Sequence, residues 1–156
     1  MRDKVFCGID PGAHGAAAAV GDDFHKCARF SKLTEEEIYN FLWSINSNCI
    51  SMNRHITFIL EKVSIRPTDG RGSGAKFMAQ FGMLRGFLIA LGVRRIEVPP
   101  VVWCKKLGRI DPKGTSITEK KRRNQQLAES LYPGCGIIRE TCDAYLIAEY
   151  GRRFCD

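Results

Sequence analysis

The chain has 156 residues, 44% of them hydrophobic and 26% charged, with 24 Lys and Arg against 17 Asp and Glu for a formal net charge of +7. This composition excludes a disordered tail or a collagen-like chain, and the length supplies one domain, 1–156, with a real core but not two catalytic lobes. No apolar run approaches the roughly 18–20 residues that cross a bilayer, and Met1–Phe6 lacks the apolar stretch of a secretory signal, so a cytoplasmic protein with no membrane partner is expected.

Taken in chain order, Val5-Phe6-Cys7-Gly8-Ile9 reads as a buried strand ending at Asp10, and Pro11–Gly15 as a turn with two glycines. Ala16–Val20 and His25–Phe30 complete a meander. Thr34-Glu35-Glu36-Glu37 is a capping box, and Ile38, Phe41, Leu42 and Ile45 follow at helical spacing, which predicts a helix to about Asn46. Ile56–Leu60 predicts a central strand ending at Glu61. Ser64–Gly74, rich in Gly, Pro and charge, predicts a mobile loop. A second helix then carries Phe77, Phe81, Leu84, Leu88 and Leu91, a stripe expected to serve the core and extend to a subunit contact, with Gly92 stopping it. Arg95–Val98 is a short strand closed by Pro99-Pro100, and Ser116-Ile117-Thr118-Glu119 is a second capping box opening a basic helix to about Leu131. A last helix is expected over roughly Thr141–Arg153. This order predicts an α/β domain with a mixed sheet, its first and fourth strands parallel and adjacent. The seven cysteines are scattered, with no CxxC pair, and read as reduced packing thiols rather than zinc ligands.

The charge is concentrated. Ten basic residues lie between Arg94 and Arg123, opposed only by Glu97, Asp111 and Glu119, and that stretch carries the whole excess. A basic region on a neutral body points to a polyphosphate partner. Asp10 and Glu61 end adjacent strands, the edge where ligand sites of open α/β sheets gather, and like charges so placed call for a cation between them. Glu140 and Asp143, three apart, share one face at the start of the last helix. Oxygen donors of this kind suit Mg²⁺ or Mn²⁺, and two such ions beside a basic surface suit phosphodiester hydrolysis.

Gly8-Ile9-Asp10-Pro11-Gly12-x-x-Gly15, the strand ending in Glu61, the Lys-bearing helix and Glu140-x-x-Asp143-Ala144 resemble, in order and over nearly the whole chain, the RuvC family of Holliday-junction resolvases with the RNase H-like fold. Pro100-x-x-Trp103-x-Lys105 is similar to versions carried by bacteriophages, which would place the protein in a bacterial host cytoplasm. The resemblance implies a homodimeric endonuclease using two Mg²⁺ per site, with Mn²⁺ as a substitute. Each subunit would nick one of two opposed strands of a four-way junction and leave 5′-phosphates. It maps the metal-binding and catalytic acids onto Asp10, Glu61, Glu140 and Asp143, and the helix lysine onto Lys120 or Lys121. Lys105 and Lys106 match the family's basic stretch. Family members often have Asp or His where Glu140 stands. They also carry an aromatic residue shortly after the catalytic Glu, and Lys62–Pro67 has none. That absence implies broader action on three-way junctions and forks, with Arg66, Arg71 and Lys76 holding phosphates instead. An RNase H acting on hybrids and an inactive branched-DNA-binding protein are the alternatives; an actin-like kinase needs two domains and does not fit the length.

Overall fold

The computed structural model describes residues 3–62 and 70–155. Strands β1 (Lys4–Asp10), β2 (Ala16–Val20), β3 (His25–Arg29), β4 (His55–Glu61) and β5 (Arg95–Val98) form one sheet in the order β3-β2-β1-β4-β5. The first three strands make an antiparallel meander, while β1–β4 and β4–β5 are parallel. The expected mixed sheet with adjacent, parallel first and fourth strands is therefore present.

Side-chain alternation sorts the strands into two cores. Val5, Cys7 and Ile9 of β1, with Phe58 and Leu60 of β4, face α1 (Glu35–Ser51) and α2 (Arg71–Ala90). Phe6 and Ile59 face the other way, toward α3 (Pro100–Lys106), α4 (Ile117–Leu131) and α5 (Cys142–Phe154). Asp10 and Glu61 share the parity of Phe6 and Ile59, so both are directed to the α5 side. The β1–β4 register runs to Ile9 opposite Leu60, and one further step sets Asp10 beside Glu61.

Helix α5 lies across β1, β2 and β4. Its approach depends on Gly8, where a Cβ would stand 2.1 Å from the Ala144 carbonyl oxygen and 2.4 Å from the Ala148 nitrogen. Small residues at Ala144 and Ala148 complete the close packing. The tight turn after β1 depends on Gly15, where a Cβ would lie 2.0 Å from the Asp10 carbonyl oxygen.

Several boundaries differ from the sequence reading. Helix α1 continues to Ser51, because Cys49 extends the buried Ile38, Leu42 and Ile45 stripe by one more turn. Asn53, at φ 55°, then reverses the chain. Of the expected mobile loop Ser64–Gly74, residues 64–69 lie outside the described residues, whereas Gly70–Gly74 caps and begins α2, with Gly74 N–H donating to Gly70 O at 3.0 Å. The α2 stripe goes to the core: Phe81, Leu84 and Leu88 are buried, with Phe77 and Leu91 packed at their margin. Pro99-Pro100 closes β5 as expected but also starts α3, since proline's fixed φ suits the first helical position. The Thr34–Glu37 capping box is complete, whereas at Ser116 only the hydroxyl contributes, accepting from Glu119 N–H, because the Glu119 carboxylate pairs with Arg122 and Arg123. No disulfide joins any of the cysteines.

Candidate active site at the carboxyl edge of the sheet

Asp10 and Glu61 end β1 and β4, and the first turn of α5 brings Asp143 above them. Asp10 and Asp143 are each only 9% exposed. The close seat of Ala144 on Gly8 fixes the depth at which Asp143 arrives. On α4, Lys121, Asn124 and Ala128 recur at helical spacing on the face turned to α5. Lys121 Nζ donates to Asp143 Oδ2 and lies 3.7 Å from Asp10 Oδ2. Of the two lysines, Lys121 enters the acidic cluster, and Lys120 is exposed on the outer side of α4.

The carboxylates perturb one another. Burial pushes the Asp10 carboxyl well above its ordinary range, and Asp143 and Glu61 push it further, against the opposing pull of Lys121. Glu61 is raised to about 7, first by burial and then by Asp143, with the Trp103 hydrogen bond and Lys121 pulling the other way. Lys121 is held above the usual lysine range because Asp143 and Asp10 outweigh its own burial. One ammonium thus serves three carboxyl groups, two of them buried and the third half-buried, and leaves the cluster short of positive charge.

Two of the acids also have a fixed neutral donor. Trp103 Nε1–H donates to Glu61 Oε2 at 2.7 Å, and Asn124 Nδ2–H donates to Asp143 Oδ1 at 2.8 Å. Glu140 stands apart. It lies in the turn before α5, not on its first turn, and its Oε2 accepts from Ser31 Oγ at 2.8 Å. It nevertheless lines, with Asp10, His14, Lys121 and Arg139, a groove of about 480 Å³ along the Pro11–Gly15 turn. The structure therefore brings together Asp10, Glu61 and Asp143, and sets Glu140 on the rim of the same opening. Among the described residues, no group of three or more His, Cys, Asp or Glu side chains is placed so that it could hold a metal ion as it stands.

The expected DNA-binding residues are dispersed. Lys105 and Lys106 are exposed at the end of α3, where Lys106 Nζ lies 5.4 Å from the centre of the Phe154 ring. Lys76 is exposed on α2, whose first residue is Arg71; Arg66 lies outside the described residues. Sequence reasoning missed Trp103, Asn124, Ser31, His14 and Arg139. The Trp103 signal was a single indole within a Pro-led basic stretch, and the Asn124 signal was a polar residue on the inward stripe of α4.

Solved structures share this architecture. A Thermus thermophilus RuvC structure matches over 96% of this chain and 95% of its own, at 13% identity and a TM-score of 0.56. T. thermophilus RuvC in complex with Holliday junction substrate matches over 97% and 96%, at 12% identity and a TM-score of 0.58. The fold is that of RuvC. No family model matches the chain, and no curated protein does. The RuvC-like fold accounts for the sheet order. Among the described residues, no helix is long and apolar enough to cross a membrane.

Proposed function

We propose that this protein is a divalent-metal-dependent endonuclease that cuts four-way DNA junctions, and other branched DNA, as a homodimer. The observation that carries this reading is the convergence of Asp10, Glu61 and Asp143 with Lys121 at the carboxyl edge of a RuvC-like sheet. The donor set fits Mg²⁺ or Mn²⁺: every side chain offered is a carboxylate, and the cluster lacks the positive charge to keep its members ionised together. Asp10, Glu61 and Asp143 would hold the ions, with Glu140 as a fourth ligand from the groove rim. When bound, such ions supply an activated water and stabilise the leaving oxygen of a phosphodiester.

The chain's own residues supply the rest. Lys121 places a cation where a phosphate oxygen would meet the acids, and Lys105, Lys106 and Lys120 provide exposed charge for the backbone on either side. The groove with His14 and Arg139 gives a strand access to Asp10. Hydrolysis that forms a bond from water oxygen to phosphorus and breaks the bond from phosphorus to O3′ leaves a 5′-phosphate and a 3′-hydroxyl. Cutting two opposed strands of a junction requires two such sites, hence the dimer. T. thermophilus RuvC has the same fold and is seen with a Holliday junction substrate, which supports the choice of DNA structure. The test is cleavage of an end-labelled junction in Mg²⁺ by the native chain and by Asp10→Asn. Metal-dependent nicking by the native chain, abolished in Asp10→Asn while junction binding persists, is the expected result. Binding without cleavage in any divalent metal would leave only a branched-DNA-binding protein.

A further inference from the structure

We propose that the segment Trp103–Asp111 is the positioning element of this site, one end orienting Glu61 and the other orienting Asp143; the proposal rests on the nuclease reading above. Trp103 is 2% exposed, and its only polar side-chain atom is a donor, which it spends on Glu61. The chain then leaves α3 through a fixed turn. Leu107 N–H donates to Trp103 O at 3.0 Å, Gly108 takes φ +71°, and Arg109 N–H returns to Cys104 O at 2.7 Å.

That turn delivers the Arg109 guanidinium to Asn124 of α4. Its Nε donates to Asn124 Oδ1 at 2.7 Å, and its Nη2 donates to Asp111 Oδ1 at 3.0 Å. A guanidinium can only donate, so it fixes which end of the Asn124 amide faces it. The amide nitrogen must therefore point the other way, into Asp143 Oδ1. With Oδ1 taken, Asp143 has Oδ2 for Lys121. Asn124 is 8% exposed, and the Arg109 and Asp111 side chains are 11% and 16% exposed, so these bonds are shielded from solvent. Three mutually repelling acids would otherwise splay. One short stretch of chain holds two of them in register, Glu61 directly through Trp103 and Asp143 by way of Arg109 and Asn124. Outer hydrogen-bond partners of metal-binding side chains govern affinity and activity in this way.

The experiment compares Trp103→Phe and Asn124→Ala with the native chain, measuring kcat and KM on a four-way junction. It also follows, without DNA, the Mn²⁺ concentration that half-saturates the rise in melting temperature. Tyr132→Phe, which removes a hydrogen bond to Glu149 at the far end of α4, controls for lost stability. The expected result is a fall in kcat of about 10–100-fold with KM within about twofold, and a comparable rise in the Mn²⁺ midpoint, for Trp103→Phe and Asn124→Ala but not for Tyr132→Phe. Variants that keep both quantities, or lose them no more than Tyr132→Phe does, overturn the positioning role. If the native chain binds Mn²⁺ but cuts no DNA, the nuclease reading falls and the Mn²⁺ midpoints alone decide the positioning role. A native chain with no Mn²⁺ response overturns both.

Discussion

A carboxyl group that ends an apolar strand works against folding unless something positive meets it, and Glu61 shows the sign of the effect. Its folded pKa, about 7, lies above its ordinary value of 4.5, so the folded state holds the proton more tightly than the unfolded state does. This contribution is complete below about pH 4.5 and is lost as pH rises toward 7. In metal-free buffer Glu61→Gln should therefore stabilise the protein by on the order of 2 kcal/mol at pH 8, with no gain at pH 4. Urea denaturation at both pH values checks this; equal effects at the two would mean that Glu61 does not titrate in the folded state. The two lysines separate in the same way. Lys121 lies on Asp143 and near Asp10, whereas Lys120 faces solvent. Lys121→Ala should lower kcat on junction DNA by about 100-fold, the scale of losing one preorganised charge partner. Lys120→Ala should weaken binding and reduce the salt slope by about one. Single-turnover kinetics and a salt titration distinguish the two effects, and equal losses of kcat would contradict the assignment.

At the scale of elements, the site depends on how closely α5 sits on β1. Gly8 cannot carry a Cβ without displacing the Ala144 and Ala148 backbone, which in turn carries Asp143. Gly8→Ala should cost about 3 kcal/mol, at the upper end of overpacking penalties, and chemical denaturation measures it. A cost below about 0.5 kcal/mol would show that α5 shifts freely. Much of this layer was legible in the sequence. Apolar runs gave the strands, the Thr34 box gave the start of α1, and the acids at strand ends followed from the patterning. What escaped was set by tertiary partners. Helix α3 was hidden because Pro-Pro signals a stop as readily as a start. Gly72 and Gly74 looked like loop residues but fall in the first turns of α2. Glu140 and Asp143 were given one face of one helix, yet that helix begins at Cys142, so Glu140 turns to Ser31 instead.

Over the whole molecule, the parity of β1 and β4 decides where chemistry can occur. Asp10 and Glu61 fall on the face covered by α3, α4 and α5, the elements that bring Trp103, Lys121, Asn124 and Asp143. Lys105 and Lys106 of α3 and Lys120 and Lys121 of α4 stand on the elements that cover this face, so much of the basic charge and the acidic cluster belong to one side of the sheet. Net charge and strand-end acids were readable from the sequence. The donors that hold the acids were not, because a tryptophan or an asparagine acquires its meaning only from the carboxylate it reaches. The most direct measurement is cleavage of a labelled four-way junction in Mg²⁺ beside matched linear duplex and RNA–DNA hybrid. The expected result is paired, symmetric nicks on the junction, with the duplex and hybrid left intact and all cutting lost in Asp10→Asn. Cleavage of the hybrid with the junction untouched, or junction nicking that survives Asp10→Asn, would contradict it.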